Sequence, residues 1–133
     1  MTINYLFADA VARINNAQAV GNSFVSIYYS RLIEDFVKII FDEGFILSFE
    51  TKFVRKGVFT ILVHLKYKDK KGVIDKLKIV SSPGCRVYVK AKDANKNKYG
   101  KLAVSIISTS KGIISGKKAF EYGIGGEYLC YIL

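Results

Sequence analysis

From Val58 to Lys68 the chain alternates, with Phe59, Ile61, Val63, Leu65 and Tyr67 on one side and Thr60, Leu62, His64, Lys66 and Lys68 on the other. Successive side chains of a strand project to opposite faces, so this run predicts a β-strand with one dry face and one wetter one. A half-dry strand needs a layer to cover it, and two helical patterns earlier in the chain can supply that layer. Leu6, Phe7, Ala10, Val11 and Ile14 recur at helical spacing, with Thr2 available as a cap. Leu32, Phe36, Ile39 and Ile40 form a second stripe, with Ser30 placed to cap it and Gly44 to end it in a left-handed turn. A short strand is expected over Phe24 to Tyr29. Lys52, Arg55, Lys56 and Gly57 predict a basic turn before the alternating strand, and Asp69-Lys70-Lys71-Gly72 a second cationic loop after it.

The second half reads as strands over Ile74 to Ser81, Arg86 to Lys90, Ala103 to Ile107 and Glu127 to Ile132. One short helix interrupts them: Ser115 can cap it, Ala119 and Phe120 are expected to face inward, and Gly123 stops it. Residues 93–101, rich in Asn and Lys, predict a mobile basic loop. No internal repeat is present. The expected fold is α+β in two small domains, an amino-terminal α-β-α-β-β unit over 1–70 and a mostly antiparallel β unit with one short helix over 71–133. With 133 residues, half of them apolar, the chain has enough apolar area to close a core.

Charge is segregated by sign. Residues 1–50 hold three bases and six acids, whereas residues 51–133 hold eighteen bases and five acids. A surface charged only for solubility has no reason to separate sign in this way, whereas a protein that lays one part of itself on phosphates gains affinity from it. Cys85 and Cys130 are far apart, each in an apolar strand-like run, and form no CxxC pair. Together with the single His64 they do not supply a closed four-ligand zinc set, so neither a metal nor a cofactor is expected, and a reducing compartment suits the two thiols. No apolar run is long enough to span a membrane. The early first helix leaves no space for a charged leader or signal core, which predicts synthesis in the compartment where the protein works. Abundant Ile, Lys, Tyr and Phe, with one Pro and no Trp, lean toward an A/T-rich organellar genome. A mitochondrion is the first expectation, with a plastid or a bacterial cytoplasm as alternatives.

Two motifs carry chemistry. Ser108, Thr109 and Ser110 place three short hydroxyl side chains together, followed by Lys111 and Gly112, and Gly125-Gly126-Glu127 follows a short stretch later. Hydroxyls donate and accept, and glycines let a backbone approach a flat ligand, a combination suited to unpaired bases and 2′-hydroxyls. The hydroxyls could equally cap backbone groups at a strand end. Glu127 is repelled by phosphate, so on an anion-binding face it must accept from a base amino group or hold a neighbouring Lys in position. Tyr88 offers a ring for stacking or simply packs on a sheet, and Arg86, Lys90, Lys92 and Lys111 suit phosphate contacts that set register without reading sequence.

The order Ile106-Ile107-Ser108-Thr109-Ser110-Lys111-Gly112, then Gly125-Gly126-Glu127-Tyr128-Leu129-Cys130-Tyr131, resembles the carboxyl-terminal signature of the small-subunit ribosomal protein eight family. Ala8-Asp9-Ala10-Val11-Ala12-Arg13-Ile14-Asn15-Asn16-Ala17, Glu43-Gly44-Phe45-Ile46 and Ser82-Pro83-Gly84-Cys85-Arg86-Val87-Tyr88 fall where that family has similar runs, so the resemblance covers nearly the whole chain. It implies that the hydroxyl loop inserts against the distorted core of a helix in the central domain of small-subunit ribosomal RNA. It also implies that Glu127 serves as the family's acid, and that Arg13 and Asn16 form a helix-borne polar pair approaching a second stretch of the same RNA. Asn15 and Ser82 stand where the family usually has bases, and Gly100-Lys101-Leu102-Ala103-Val104 replaces a glycine-rich strand entry.

The function so implied is structural: binding ribosomal RNA and supporting assembly of the small subunit beside neighbouring ribosomal proteins, with no small-molecule substrate. One alternative is a translational repressor that binds a messenger RNA mimic of the same site. Another is a small RNA-processing enzyme using His64 with Cys85 or Glu127, although no carboxylate is placed by spacing to orient His64.

Overall fold

The computed structural model describes residues 3–82, 84–94 and 102–133, with side chains in the first helix from Leu6 onward. The fold is α+β, and the chain divides into two compact units, one ending at Ile74 and the other beginning at Asp75.

The first unit runs α1 (Ile3–Ala19), β1 (Phe24–Tyr28), α2 (Arg31–Asp42), β2 (Ile46–Arg55) and β3 (Val58–Leu65), then a small ribbon of β4 (Tyr67–Lys68) and β5 (Lys71–Gly72). Its three-stranded sheet is antiparallel in the order β1, β3, β2. Directly paired residues share a face, so Ile27 opposite Ile61 and Val25 opposite Val63 build the dry side that the alternation in β3 requires. Phe7, Ala10, Val11 and Ile14 of α1 are buried, and the Phe7 ring meets the Phe36 ring of α2 edge to face with centroids 4.9 Å apart. Each fully buried side chain of this size contributes roughly 1.5–3 kcal/mol.

Ser30 caps α2 as its position suggests, its Oγ accepting from the Ile33 amide at 3.1 Å, and Gly44 takes φ +83° just past the helix. The buried stripe of α2 is rotated from the expected one: Ile33, Phe36, Val37 and Ile40 are buried, whereas Leu32 and Ile39 are only half-buried. Both sets satisfy a 3.6-residue period, and only the contact with the sheet chooses between them. Lys52 is not in a turn, because β2 continues through it to Arg55 and pairs it with Thr60, leaving a two-residue turn of Lys56 and Gly57. The alternating strand also stops earlier than its pattern. Asp69 and Lys70 both adopt positive φ, 54° and 66°, the signature of a tight type I′ turn, and this turn folds Tyr67 and Lys68 back onto Lys71 and Gly72. Tyr67 therefore leaves the dry face and donates its hydroxyl to the Asn22 carbonyl at 2.6 Å.

The second unit contains β6 (Leu77–Ile79), β7 (Tyr88–Val89), a 3-10 turn (Ala91–Asp93), β8 (Val104–Thr109), β9 (Gly112–Ser115), α3 (Gly116–Tyr122) and β10 (Gly126–Ile132). All its described pairings are antiparallel, in the order β6, β10, β8, β9, with β7 also on β10. Strand β10 lies at the centre, and every residue from Tyr128 to Ile132 is buried. Ser115 caps α3, its Oγ accepting from the Lys118 amide, and Gly123 ends it with φ +69°.

Several expectations need correction. The strand expected over Ile74 to Ser81 shortens to Leu77–Ile79: the Val80 amide still reaches the Leu129 carbonyl at 2.9 Å, but the Ser81 amide turns to the same carbonyl, and the ladder to β10 ends there. The strand expected over Arg86 to Lys90 keeps only Tyr88–Val89, so Arg86 precedes it, Lys90 follows it and Lys92 sits in the 3-10 turn. Strand β9 was not anticipated, and Gly112, expected in a loop leading to a helix, opens it. Phe120 points out, 49 % exposed, because so short a helix packs through Ala119 against Ala94 and Ile107 and turns the next residue about 100° away. Cys85 is exposed in a tight turn bridged to Ser82, not in a strand. The readings that fall on Thr2, Pro83 and residues 95–101 lie outside the described residues.

Candidate nucleic-acid interface

The two signature motifs meet across the sheet of the second unit. Glu127 pairs with Ser108 on one side and with Tyr88 on the other, which sets Tyr88, Glu127 and Ser108 in one row across β7, β10 and β8. Paired residues share a face, and the neighbouring Ile107 packs into the apolar cluster of Ala94 and Ala119 on the other side. Tyr88 is 69 % exposed at one end of the row.

Glu127 is held before any ligand arrives. Its Oε2 accepts from the Ser81 hydroxyl at 2.7 Å and from Arg86 Nη1 at 3.1 Å. The Ser81 hydroxyl in turn accepts from the Val87 amide at 3.2 Å, so one serine ties the carboxylate to the backbone leading into β7. The carboxylate therefore holds a neighbouring cation, one of the two roles open to it, and that cation is Arg86 rather than a lysine. The Arg86 side chain is about two-fifths exposed, which keeps the ion pair in the range of roughly 0–1 kcal/mol but leaves guanidinium edges facing solvent. Ser81 carried no signal in the sequence, because only the placing of β6 and β7 along the same edge of β10 reveals what a serine there touches.

Both glycines are required by close backbone approach. A side chain at Gly126 would strike the Ser108 carbonyl, and one at Gly125 would strike the Val89 carbonyl. They let β10 lie tight against β8 and β7, which is what aligns the row.

The hydroxyl loop divides its labour. Thr109 Oγ1 accepts from the Lys111 amide at 3.1 Å and donates to the Gly112 carbonyl at 2.8 Å, so it braces the turn between β8 and β9. Ser110 is exposed at the crest of that turn, and no side-chain bond of it to the protein is found among the described residues. The Lys111 ammonium lies 5.1 Å from the centroid of the Tyr122 ring at the end of α3, a cation–π contact that restrains a long side chain at the protein surface. Lys90 and Lys92 are exposed. The unit from residue 75 onward carries eleven Lys and Arg against four Asp and Glu.

Arg13 and Asn16 belong to the first unit. Arg13 Nε donates to Asp9 Oδ2 at 2.9 Å, one helical turn away, while its guanidinium lies 4.8 Å from the Tyr28 ring centroid. Exposed Asn16 lines an open hollow with Arg13, Ala17 and Asn22.

The catalytic alternative meets different surroundings from those expected. His64 does have a carboxylate beside it, with Glu50 Oε1 3.9 Å from Nε2 through the pairing of β2 with β3, but Lys52 shares that carboxylate at 3.4 Å. Of the thiols, Cys85, the one that alternative names, is exposed, whereas Cys130 is fully buried, and burial pushes its thiol well above the ordinary range. Among the described residues no three of His, Cys, Asp and Glu gather as metal ligands, and no helix is long and apolar enough to cross a membrane.

Fold and site together define a class: a two-unit α+β protein whose second, antiparallel unit mounts a braced carboxylate between a hydroxyl turn and an exposed ring. The family model for Ribosomal protein S8 matches residues 6–133, and the chain belongs to that family. It is 43 % identical over 126 residues to small ribosomal subunit protein uS8 of Neorickettsia sennetsu, covering 95 % of each chain. It is 41 % identical over 132 residues to small ribosomal subunit protein uS8c of Gracilaria tenuistipitata var. liui, covering 98 % of each. A third relative, small ribosomal subunit protein uS8 of Hydrogenovibrio crunogenus, is 40 % identical over 132 residues and 99 % of each chain.

Proposed function

We propose that this chain is a structural, non-catalytic constituent of the small ribosomal subunit that binds the central domain of its RNA and sits beside neighbouring ribosomal proteins. Family membership supports the ribosomal role. The observation that carries RNA recognition is the row of Tyr88, Glu127 and Ser108, with Glu127 already held by Ser81 and Arg86. A carboxylate fixed before binding accepts from a base amino group without first losing side-chain freedom, while Ser110 at the adjoining crest reaches base edges or 2′-hydroxyls of an irregular helix. Arg86, Lys90, Lys92 and Lys111 take phosphates around it, so affinity comes largely from counterion release and register from the row. Arg13 and Asn16 hold a second stretch of the RNA.

The organelle we assign is the mitochondrion, on the Ile-, Lys- and aromatic-rich composition. Sedimentation of the tagged chain from its native source is the test: comigration with the small subunit of purified mitochondria is expected, and a chain that stays at the top of every gradient rejects the ribosomal reading. Chemical footprinting of the bound RNA should protect central-domain nucleotides. Protection confined to another domain would overturn the placement, and recovery in plastid or bacterial ribosomes alone would overturn the organelle.

A further inference from the structure

The end of the β2–β3 hairpin has two chemically distinct faces, and a backbone irregularity creates them. Phe53 pairs with Phe59, but the register then shifts so that Arg55 pairs with Val58, leaving Val54 without a partner. In a regular strand Phe53 and Arg55 would point the same way. The extra residue reverses this, so Arg55 joins Lys52 on the face that carries Val58 and Thr60, and Phe53 stays opposite with Phe59. Lys56 occupies the turn, which Gly57 closes at φ +76°. One face of the tip is therefore cationic and the other aromatic.

The aromatic face is open. Phe53 is 65 % exposed and Phe59 42 %, their rings meet edge to face at 5.6 Å, and Tyr29 extends the line with its ring 6.0 Å from that of Phe59. Rings this exposed at the end of a hairpin add little to the core of this unit. Lys52, Arg55 and Lys56 are all exposed, and the acid found near them is Glu50, which faces Lys52 and His64 and leaves Arg55 and Lys56 with no ion pair among the described residues.

We propose that this tip is a wedge for an unpaired stretch of small-subunit ribosomal RNA, with phosphates along Lys52, Arg55 and Lys56 and a base stacked on the Phe53–Phe59 pair. The proposal rests on the ribosomal reading above and adds a contact on the first unit separate from Arg13 and Asn16. Charge decides between partners: a polyanion with π-faces satisfies both sides of the tip, whereas an apolar protein surface would strand the cations.

The native chain has no tryptophan, so the full-length Phe53→Trp variant carries a single indole reporter. Titration with protein-free small-subunit ribosomal RNA should quench that indole and shield it from acrylamide. Combined Lys52→Ser, Arg55→Ser and Lys56→Ser should lower the salt dependence of RNA affinity by about two in the log–log slope. Phe53→Ala should weaken binding about tenfold with the slope unchanged. An indole that keeps its emission and accessibility at saturation, or an unchanged slope in the triple variant, overturns the wedge. A triple variant that binds RNA normally but fails to enter the subunit makes the tip a protein contact and also overturns it. If native protein ignores the RNA altogether, the ribosomal reading falls and takes the wedge with it, whereas native binding with an indifferent tip rejects the wedge alone.

Discussion

Ser81 and Glu127, 46 positions apart, are joined by a 2.7 Å hydrogen bond in which the serine hydroxyl donates to Oε2. The bond ties the segment after β6 to the central strand and fixes the carboxylate in the row. Ser81→Ala should therefore weaken the cognate RNA fragment severalfold without removing any group that touches RNA, and cost about 1 kcal/mol of stability for the lost bond. Glu127→Ala should weaken the cognate fragment more than it weakens an unrelated duplex. Parallel titrations of both RNAs and urea unfolding decide, and equal losses on the two RNAs would reject base-level recognition.

Ser110 and Thr109 are adjacent hydroxyls in different surroundings, Thr109 bonded within the turn and Ser110 exposed at its crest. Thr109→Ala removes two bonds that shape the β8–β9 turn and should lower stability by about 1–2 kcal/mol. Ser110→Ala should leave the unfolding midpoint where it is and reduce affinity for the cognate RNA. A loss of stability at Ser110 equal to that at Thr109 would make the crest serine another brace.

Gly126→Ala tests the tight seating of β10. The new methyl group has the Ser108 carbonyl in its way, and backbone cannot step aside as a flexible side chain can. A destabilisation of roughly 1–3 kcal/mol is expected in urea, with cognate RNA affinity reduced because the row loses its alignment. Native stability in this variant would show that the strands have slack.

The two thiols should separate cleanly. Cys85 is exposed and should react with a chromogenic disulfide reagent in the native protein, whereas buried Cys130 should react only on unfolding. Burial raises the Cys130 pKa in the folded state, so the neutral thiol is the form that folding favours. Its contribution to stability is complete below the ordinary thiol range and declines above about pH 9, where the unfolded chain loses the proton first. Two fast equivalents in the native protein would contradict the packing of β10.

Lys92→Ala, in the exposed 3-10 turn, should weaken cognate and unrelated RNA alike and lower the salt slope by about one. Selective loss on the cognate RNA would move Lys92 from a phosphate contact to a reader of bases.

Much of the architecture was legible because it depends on local chemistry. Ser30, Gly44, Ser115 and Gly123 stand at helix ends for reasons that operate within one turn, and the alternation in β3 names its own dry face. What was not legible depends on register. The rotation of the α2 stripe, the shortening of β6 where Val80 and Ser81 share the Leu129 carbonyl and the outward turn of Phe120 follow from which neighbour packs where, and period alone does not encode that. The same distinction governs the site. Hydroxyls, glycines and Glu127 were visible as types, while Ser81, silent in the sequence, emerged as the residue that fixes Glu127. At the hairpin tip the basic cluster was plain, but the separation of cations from rings arises from one unpaired residue.

Strand β10 is the last of the second unit's strands to leave the ribosome during synthesis, yet it is the one against which β6, β7 and β8 all align. During translation the first unit has every strand it needs by Gly72, while the second waits, its earlier strands lacking their common partner until Gly126 to Ile132 emerge. Premature stops shortly before that strand would thus yield a chain with one finished half and one permanently open half.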